Sequence, residues 1–198
     1  MLLVKCNNGS FSDLKGHTFS NVGIVTSAVE KKFGTSSCYF DGSSYLLNNS
    51  TDWNFGTDNF TAEAWTNSAN AASGIIATCS RYFGGYIGFT MQYDYALIGT
   101  QQGPVDEITP FLTAPLASQW NHLALVRNNG SLTYYLNGHS IGTISATLTI
   151  NSNALVIGMI SPNQVSYIFS GYMDQIRITK QARYVTDFTP SATEFPEQ

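Results

Sequence analysis

The stretch Trp120-Asn121-His122-Leu123-Ala124-Leu125-Val126-Arg127-Asn128-Asn129-Gly130-Ser131-Leu132-Thr133-Tyr134-Tyr135-Leu136-Asn137-Gly138 decides the fold. Leu132, Tyr134 and Leu136 alternate with Thr133, Tyr135 and Asn137, the period-2 pattern of a strand with two unlike faces. Asn129-Gly130 and Asn137-Gly138 place residues that tolerate positive φ where tight hairpin turns need them. The stretch reads as strand, turn, strand, turn, an antiparallel hairpin unit.

The same grammar extends through the chain. Short β-type runs at 2–5, 38–40, 45–47, 60–66, 74–79, 86–93, 95–100, 120–127, 132–136, 140–145, 155–160 and 171–179 are separated by Gly, Asn, Ser and Pro. Helix signals are nearly absent. Residues 26–32 make at most one short turn before Gly34. A dozen strands without helices predict an all-β, two-sheet antiparallel jelly-roll sandwich. Its core is expected from alternating positions such as Phe40, Trp65, Trp120, Leu136 and Ile157. In Gly171-Tyr172-Met173-Asp174-Gln175-Ile176-Arg177-Ile178, Met173 and Ile176 are three apart. Both point inward only across a β-bulge, which re-aims Asp174. One domain over 1–190 is expected, with a tail at 191–198 that runs along the surface or leaves it. The longest loop is expected at 101–116, which holds Pro104, Pro110 and Pro115.

Charged residues are 11% of the 198, against roughly 25% in ordinary globular chains. Ser, Thr, Asn and Gly make up the difference. Such a polar, weakly charged surface suits virion or extracellular proteins. Net charge is −4, and Lys31-Lys32 is the only run of basic residues, which argues against a nucleic-acid groove. No stretch approaches the ~20 apolar residues of a membrane-spanning helix. The apolar run at 1–6 is too short for a signal peptide, so the expectation is either synthesis and assembly in a cytosol, the preferred reading, or trimming from a larger secreted precursor. Three cysteines, Cys6, Cys38 and Cys79, cannot all pair with one another. A Cys6–Cys38 bridge requires adjoining strands with Cα atoms roughly 5.5 Å apart; otherwise all three are small buried hydrophobes. Their spacing matches no zinc motif.

Several of these stretches resemble the laminin-G-like group of concanavalin A-like jelly rolls. They are Phe33-Gly34, Cys38-Tyr39-Phe40-Asp41-Gly42-Ser43-Ser44-Tyr45-Leu46, Asp58-Asn59-Phe60-Thr61-Ala62-Glu63-Ala64-Trp65, the run from Trp120 to Arg127, Leu136-Asn137-Gly138, Ile157-Gly158, and the run from Phe169 to Ile178. The closing Thr179-Lys180-Gln181-Ala182-Arg183-Tyr184, with Phe188-Thr189-Pro190, looks like the version common in bacteriophage tail and capsid-associated proteins. That resemblance implies a non-catalytic virion structural or adhesion protein, decorating a capsid or forming part of a tail or fibre. Such a protein is assembled in the host cytoplasm. Its partners would be other virion proteins or a surface glycan, with a homo-oligomer as one arrangement. The alternative it implies is an extracellular, lectin-like carbohydrate-binding module, calcium-dependent in some members.

The candidate sites follow. Tyr82, Phe83 and Tyr86 sit beside glycines in a loop, and Tyr93 and Tyr95 flank Asp94; such aromatics stack on sugar rings. Asp41, in an Asp-Gly turn, and Asp174, at the bulge, are the candidate calcium ligands, because the resemblance brings their regions close. The competing reading has Asp41 cap its own turn and Asp174 bond a neighbouring donor. No enzyme is expected. A glycan hydrolase needs two carboxylates on one face of a strand, and Asp106-Glu107 are adjacent while Glu63 stands alone beside Trp65. His17, His122 and His139 are scattered and no nucleophile elbow is present. His122 is expected to be a hydrogen-bonded structural histidine, and Arg127 and Arg177 to pair with acidic neighbours at the surface.

Overall fold

The computed structural model describes residues 1–7, 11, 13–69, 74–78, 88–93, 95–99, 105–108, 115–162 and 167–197. Its strands are β1 (Leu2–Val4), β2 (Ser20–Val22), β3 (Val25–Ser27), β4 (Ser37–Asp41), β5 (Tyr45–Asn49), β6 (Phe60–Asn67), β7 (Gly74–Thr78), β8 (Gly88–Gln92), β9 (Ala96–Gly99), β10 (Val105–Ile108), β11 (Asn121–Asn128), β12 (Ser131–Leu136), β13 (His139–Ser145), β14 (Ala154–Ile157) and β15 (Ser170–Thr179). One 3-10 turn, Thr51–Trp53, lies between β5 and β6. The first sheet has the order β13-β12-β11-β6-β15-β4-β3, with β1 also paired to β15. The second has the order β10-β9-β8-β7-β14-β5-β2. The two-sheet sandwich expected from the sequence is present. No helix among the described residues is long and apolar enough to cross a membrane.

The deciding hairpins have the turns their residues require. Asn128 pairs with Ser131 across Asn129 (φ 47°) and Gly130 (φ 78°). Leu136 pairs with His139 across Asn137 (φ 51°) and Gly138 (φ 85°). Two successive positive φ angles match the right-handed twist of the flanking strands.

The core between the sheets takes Phe40, Phe60, Phe89, Leu125, Tyr134, Leu136 and Ile157. Trp65 and Trp120 are not part of it. Trp65 packs with Leu3 and Phe195 in a separate cluster, with Phe33 and Trp120 against it. The reason is strand alternation: Phe60, Ala62 and Ala64 of β6 face the second sheet, so Glu63 and Trp65 face away from it. The outer side of the first sheet is therefore apolar in part and covered there. Ala182, Tyr184 and Phe188 close over Ala124, Val126 and Tyr135 on the outer side.

The expected bulge exists. The β15–β6 register shifts between Asp174 and Arg177, Gln175 has φ 52°, and Met173 and Ile176 both enter the core. Cys6 and Cys38 form a disulfide with Cα atoms 5.2 Å apart. β1 and β4 lie along the same edge of β15, with Val4 opposite Ile176 and Cys38 opposite Met173, so the chain leaving β1 runs into β4. Cys79 lies outside the described residues.

Two expectations change, and a third is decided between its two alternatives. The stretch 26–32 begins as β3 rather than as a helical turn, because Val25–Ser27 pairs with β4. The long loop at 101–116 holds β10, paired with β9. The segment after Pro190 stays on the sandwich: Phe195 is 1% exposed and its N–H donates to Gln175 Oε1 at 2.8 Å.

Candidate functional site

The outward positions of β6, β11 and β15 bring together residues that look unrelated in sequence. Ala124 pairs with Glu63, His122 with Trp65, and Arg177 with Glu63. Glu63 is fully buried. It accepts from Arg177 Nε at 2.7 Å, Tyr184 Oη at 2.9 Å and lies 3.1 Å from His122 Nε2. Burial alone would push the carboxyl up, but the hydrogen bond and charge of His122 and the Arg177 guanidinium outweigh it and hold Glu63 below the usual carboxylate range. Burial, then the charge and hydrogen bond of Glu63, push the Tyr184 phenol far up, so it remains a donor.

A strap made of residues 182–195 seals this cluster. The Tyr184 and Phe188 rings stack at 3.5 Å, and the Arg177 guanidinium lies 3.8 Å from the Phe195 ring centre. Phe188 N donates to Gly138 O at 2.9 Å. Glu63, His122 and Arg177 could be mistaken for catalytic machinery. With exposures of 0%, 0% and 6% under aromatic rings, they instead anchor the strap.

The open surface lies beside the strap. β11, β12 and β13 form a meander whose outward row includes Val126, Thr133 and Thr143, in register across the three strands. Thr133 and Thr143 hydroxyls are 2.9 Å apart. Residues 184–187 wall one side, leaving a groove of about 410 Å³ floored by Asn128, Ser131, Thr133, Ser140 and Thr143. Asp187 closes it, with Oδ1 accepting from Ser140 N at 2.9 Å and Oδ2 lying 3.1 Å from His139 Nδ1. Those two contacts hold its carboxyl below the usual range, so it is an ionised acceptor at neutral pH. Hydroxyl and amide groups held on a sheet can hydrogen-bond a polyhydroxylated ligand.

The residues singled out from sequence fall elsewhere. Tyr82, Phe83 and Tyr86 lie outside the described residues. Tyr93 is 1% exposed, belongs to the core and accepts from Asn121 Nδ2 at 3.2 Å; burial pushes its phenol up. Stacking on a sugar is closed to it, because strand alternation turns its ring between the sheets. Tyr95 is half-buried. Asp41 is exposed and caps its own turn, accepting from Ser43 N at 2.8 Å and Ser43 Oγ at 2.9 Å. Asp174 is buried and accepts from the backbone N–H groups of Phe33 at 3.0 Å, Lys32 at 3.2 Å and Gln175 at 2.8 Å. Burial pushes its carboxyl up and those N–H groups offset part of the rise. The two aspartates are not brought together: Asp41 pairs with Ser170 at one end of β15 and Asp174 with Trp65 where its bulge begins. Among the described residues no three His, Cys, Asp or Glu gather as a metal site.

The three histidines each face a carboxylate: His17 faces Asp13 and Asp52, His122 faces Glu63, and His139 faces Asp187. The structural role expected for His122 is what its burial and bonding describe. The surface pairing expected for the two arginines is corrected. Arg177 is buried on Glu63, and Arg127 is 1% exposed with its terminal nitrogens donating to Gly56 O and Leu148 O.

The family model of the concanavalin A-like lectin/glucanases superfamily in its laminin-G form matches residues 36–187, and the chain belongs to that family. No curated protein matches it by sequence. Among solved structures, it is similar to domain 4 of an extracellular arabinanase from Geobacillus stearothermophilus in complex with arabinotriose. That match has a TM-score of 0.67 and 16% identity, and covers 92% of this chain and 95% of that one. The binding domain of botulinum neurotoxin serotype D aligns with a TM-score of 0.66 and 10% identity over 92% of this chain and 48% of that one. Botulinum neurotoxin type C, whose cell entry is described as dependent upon interaction with two ganglioside molecules, aligns with a TM-score of 0.58 and 11% identity over 92% of this chain and 48% of that one. The chain thus spans about half the length of the neurotoxin chains. At such identities the likeness is one of fold.

Proposed function

We propose that this member of the concanavalin A-like superfamily is a non-catalytic saccharide-binding module that holds its ligand in the groove between the β11–β13 meander and the 184–187 wall. The observation that carries the reading is the floor of that groove, a set of serine, threonine and asparagine side chains in fixed strand register. Sugar hydroxyls are both donors and acceptors, and such a floor answers them without ordering a flexible loop on binding. The carbohydrate ligands named for the arabinanase domain and the type C neurotoxin support the same direction. The sealed Glu63 cluster supports the non-catalytic half of the proposal, since no reacting atom can approach a carboxylate that has no exposure. The virion setting expected from residues 179–190 rests on that resemblance; within the fold, Tyr184 and Phe188 cover the Glu63 cluster.

The test is a glycan array with the purified chain and with Thr143→Arg, which fills the groove from an exposed position. The native chain retains at least one oligosaccharide. The variant loses about tenfold or more in affinity at an unchanged melting temperature. An array silent with the native chain, or binding indifferent to Thr143→Arg, refutes the groove as the site.

A further inference from the structure

We infer that Asn129 is a self-modifying residue: its side-chain amide closes on the Gly130 nitrogen to a cyclic imide, without an enzyme, and water then opens the imide to a carboxylate at the rim of the groove. This goes beyond the saccharide reading and stands without it.

The chemistry needs a carboxamide one methylene from the backbone, a following nitrogen that can reach it, and no side chain on the following residue to block the approach. Asn-Gly meets all three, and the chain holds it at Asn8-Gly9, Asn129-Gly130 and Asn137-Gly138. Asn8-Gly9 lies outside the described residues. The other two form the same turn, with φ angles of 47° and 78° in one and 51° and 85° in the other. Local sequence and local backbone therefore rank them equally. Their surroundings do not.

Asn137 is held at both ends of its amide. Oδ1 accepts from His122 N at 2.8 Å, Nδ2 donates to Asn121 Oδ1 at 3.1 Å, and the Asn137 N–H donates to His122 O at 2.8 Å. Gly138 is buried under the strap, its carbonyl accepts from Phe188 N at 2.9 Å, and a Cβ on it would overlap the Phe188 carbonyl. Swinging the Gly138 nitrogen toward the Asn137 side chain breaks these bonds and drives the turn into the strap.

Asn129 is exposed, and no hydrogen bond among the described residues engages its side chain or the Gly130 N–H. A Cβ at Gly130 would meet nothing within 4 Å, so the peptide has room to rotate, and glycine moves between positive and negative φ freely. Outside the strand ladder the turn is tied by the Asn129 N–H to Asn59 Oδ1 at 2.8 Å and by Ala146 N to the Gly130 carbonyl at 2.7 Å, neither of which occupies a reacting atom.

In the first step the Gly130 nitrogen attacks Asn129 Cγ. The N–Cγ bond forms, the Cγ–Nδ2 bond breaks, and the proton of the Gly130 N–H leaves with Nδ2 as ammonia. Water then adds to either carbonyl of the imide. One opening gives aspartate, the other isoaspartate, whose link to Gly130 runs through the side chain. Either product adds a negative charge to a residue that lines both the groove and a neighbouring cleft of about 650 Å³.

The test incubates the folded chain in mildly alkaline buffer, digests it with trypsin and locates the converted residue by fragmentation mass spectrometry. Cleavage after Arg127 and Arg177 leaves both turns on one peptide, so each sample carries its own comparison. Asn137 must first break three hydrogen bonds that Asn129 lacks, and the net worth of two such bonds already slows a step by about tenfold. Asn129 therefore converts about tenfold faster or more in the folded chain, to a mixture of aspartate and isoaspartate, and the two rates draw together in urea. Gly130→Ala, which puts a side chain beside the attacking nitrogen, suppresses the conversion; the isoaspartate readout on the native chain does not depend on that variant folding. Equal conversion of Asn129 and Asn137 in the folded chain, an Asn129 that stays an amide there, aspartate as the only product, or undiminished conversion in folded Gly130→Ala overturns the inference.

Discussion

Replacing Glu63 by Gln keeps the side-chain shape and removes one negative charge from a site with no solvent access. The amide has one acceptor oxygen where the carboxylate had two. Turned toward Arg177 Nε its NH₂ would face a donor-only group; turned toward Tyr184 Oη it reverses the direction of that bond and leaves the oxygen for Arg177. Arg177, 6% exposed, is left as a buried cation without a counter-charge. Breaking a buried ion pair from one side costs about 3–5 kcal/mol. In a chain of this length that corresponds to roughly 6–20 °C in melting temperature, at about 2–4 °C per kcal/mol. Urea denaturation followed by tryptophan fluorescence at neutral pH measures it. The pH dependence has a definite sign. The folded carboxyl titrates below its unfolded value, so its stabilisation is complete above that unfolded value. It fades as the pH falls through the lower folded pKa. The gap between native and Glu63→Gln chains therefore narrows on acidification. A triple variant, Glu63→Leu with His122→Leu and Arg177→Met, costs less than Glu63→Gln alone, because no uncompensated charge remains. A loss below about 1 kcal/mol for Glu63→Gln, or a gap that widens toward acid, refutes the view that this buried cluster anchors the strap.

Two further outcomes separate the roles of other elements. Gly130 and Gly138 both have positive φ, but a Cβ at Gly130 meets nothing within 4 Å while one at Gly138 overlaps the Phe188 carbonyl. Gly130→Ala is expected to lose only the left-handed backbone term of about 1–2 kcal/mol, whereas Gly138→Ala loses more and makes 185–190 susceptible to limited proteolysis; equal losses would show that the strap is not seated on that turn. Removing the disulfide with Cys6→Ala and Cys38→Ala opens a loop with a sequence separation of 32. A loss of about 3–4 kcal/mol is expected by denaturant titration, and native-like stability in the double variant would mean that the pairing of β1 with β15 holds the N-terminal segment without it.

Legibility in the sequence follows physical range. The hairpins were legible because Asn-Gly turns and period-2 alternation are local properties of consecutive residues. The β15 bulge was legible because Met173 and Ile176 stand in conflict with alternation inside one strand. Trp65 misled because alternation tells two faces apart but does not say which one faces the second sheet. Small Ala62 and Ala64 fill the inner side of β6, and the larger tryptophan lies under the strap. The Glu63 cluster carried no sequence signal at all. Its members stand at 63, 122, 177 and 184, and only the strand order β11-β6-β15 makes them neighbours. The groove was equally hidden, since its serines and threonines look like any solvent face until residues 184–187 wall it.

By itself the amino-acid order determined that this chain is a two-layer antiparallel sandwich, where its tight turns fall and where its last long strand bulges, since each of these depends on φ preferences and side-chain alternation over a few residues. Only the tertiary structure decided which carboxylate is sealed, which Asn-Gly turn is covered and which hydroxyls line an open groove. Those are contacts between residues tens of positions apart, set by strand pairing and by the return of the C-terminal segment across the sheet.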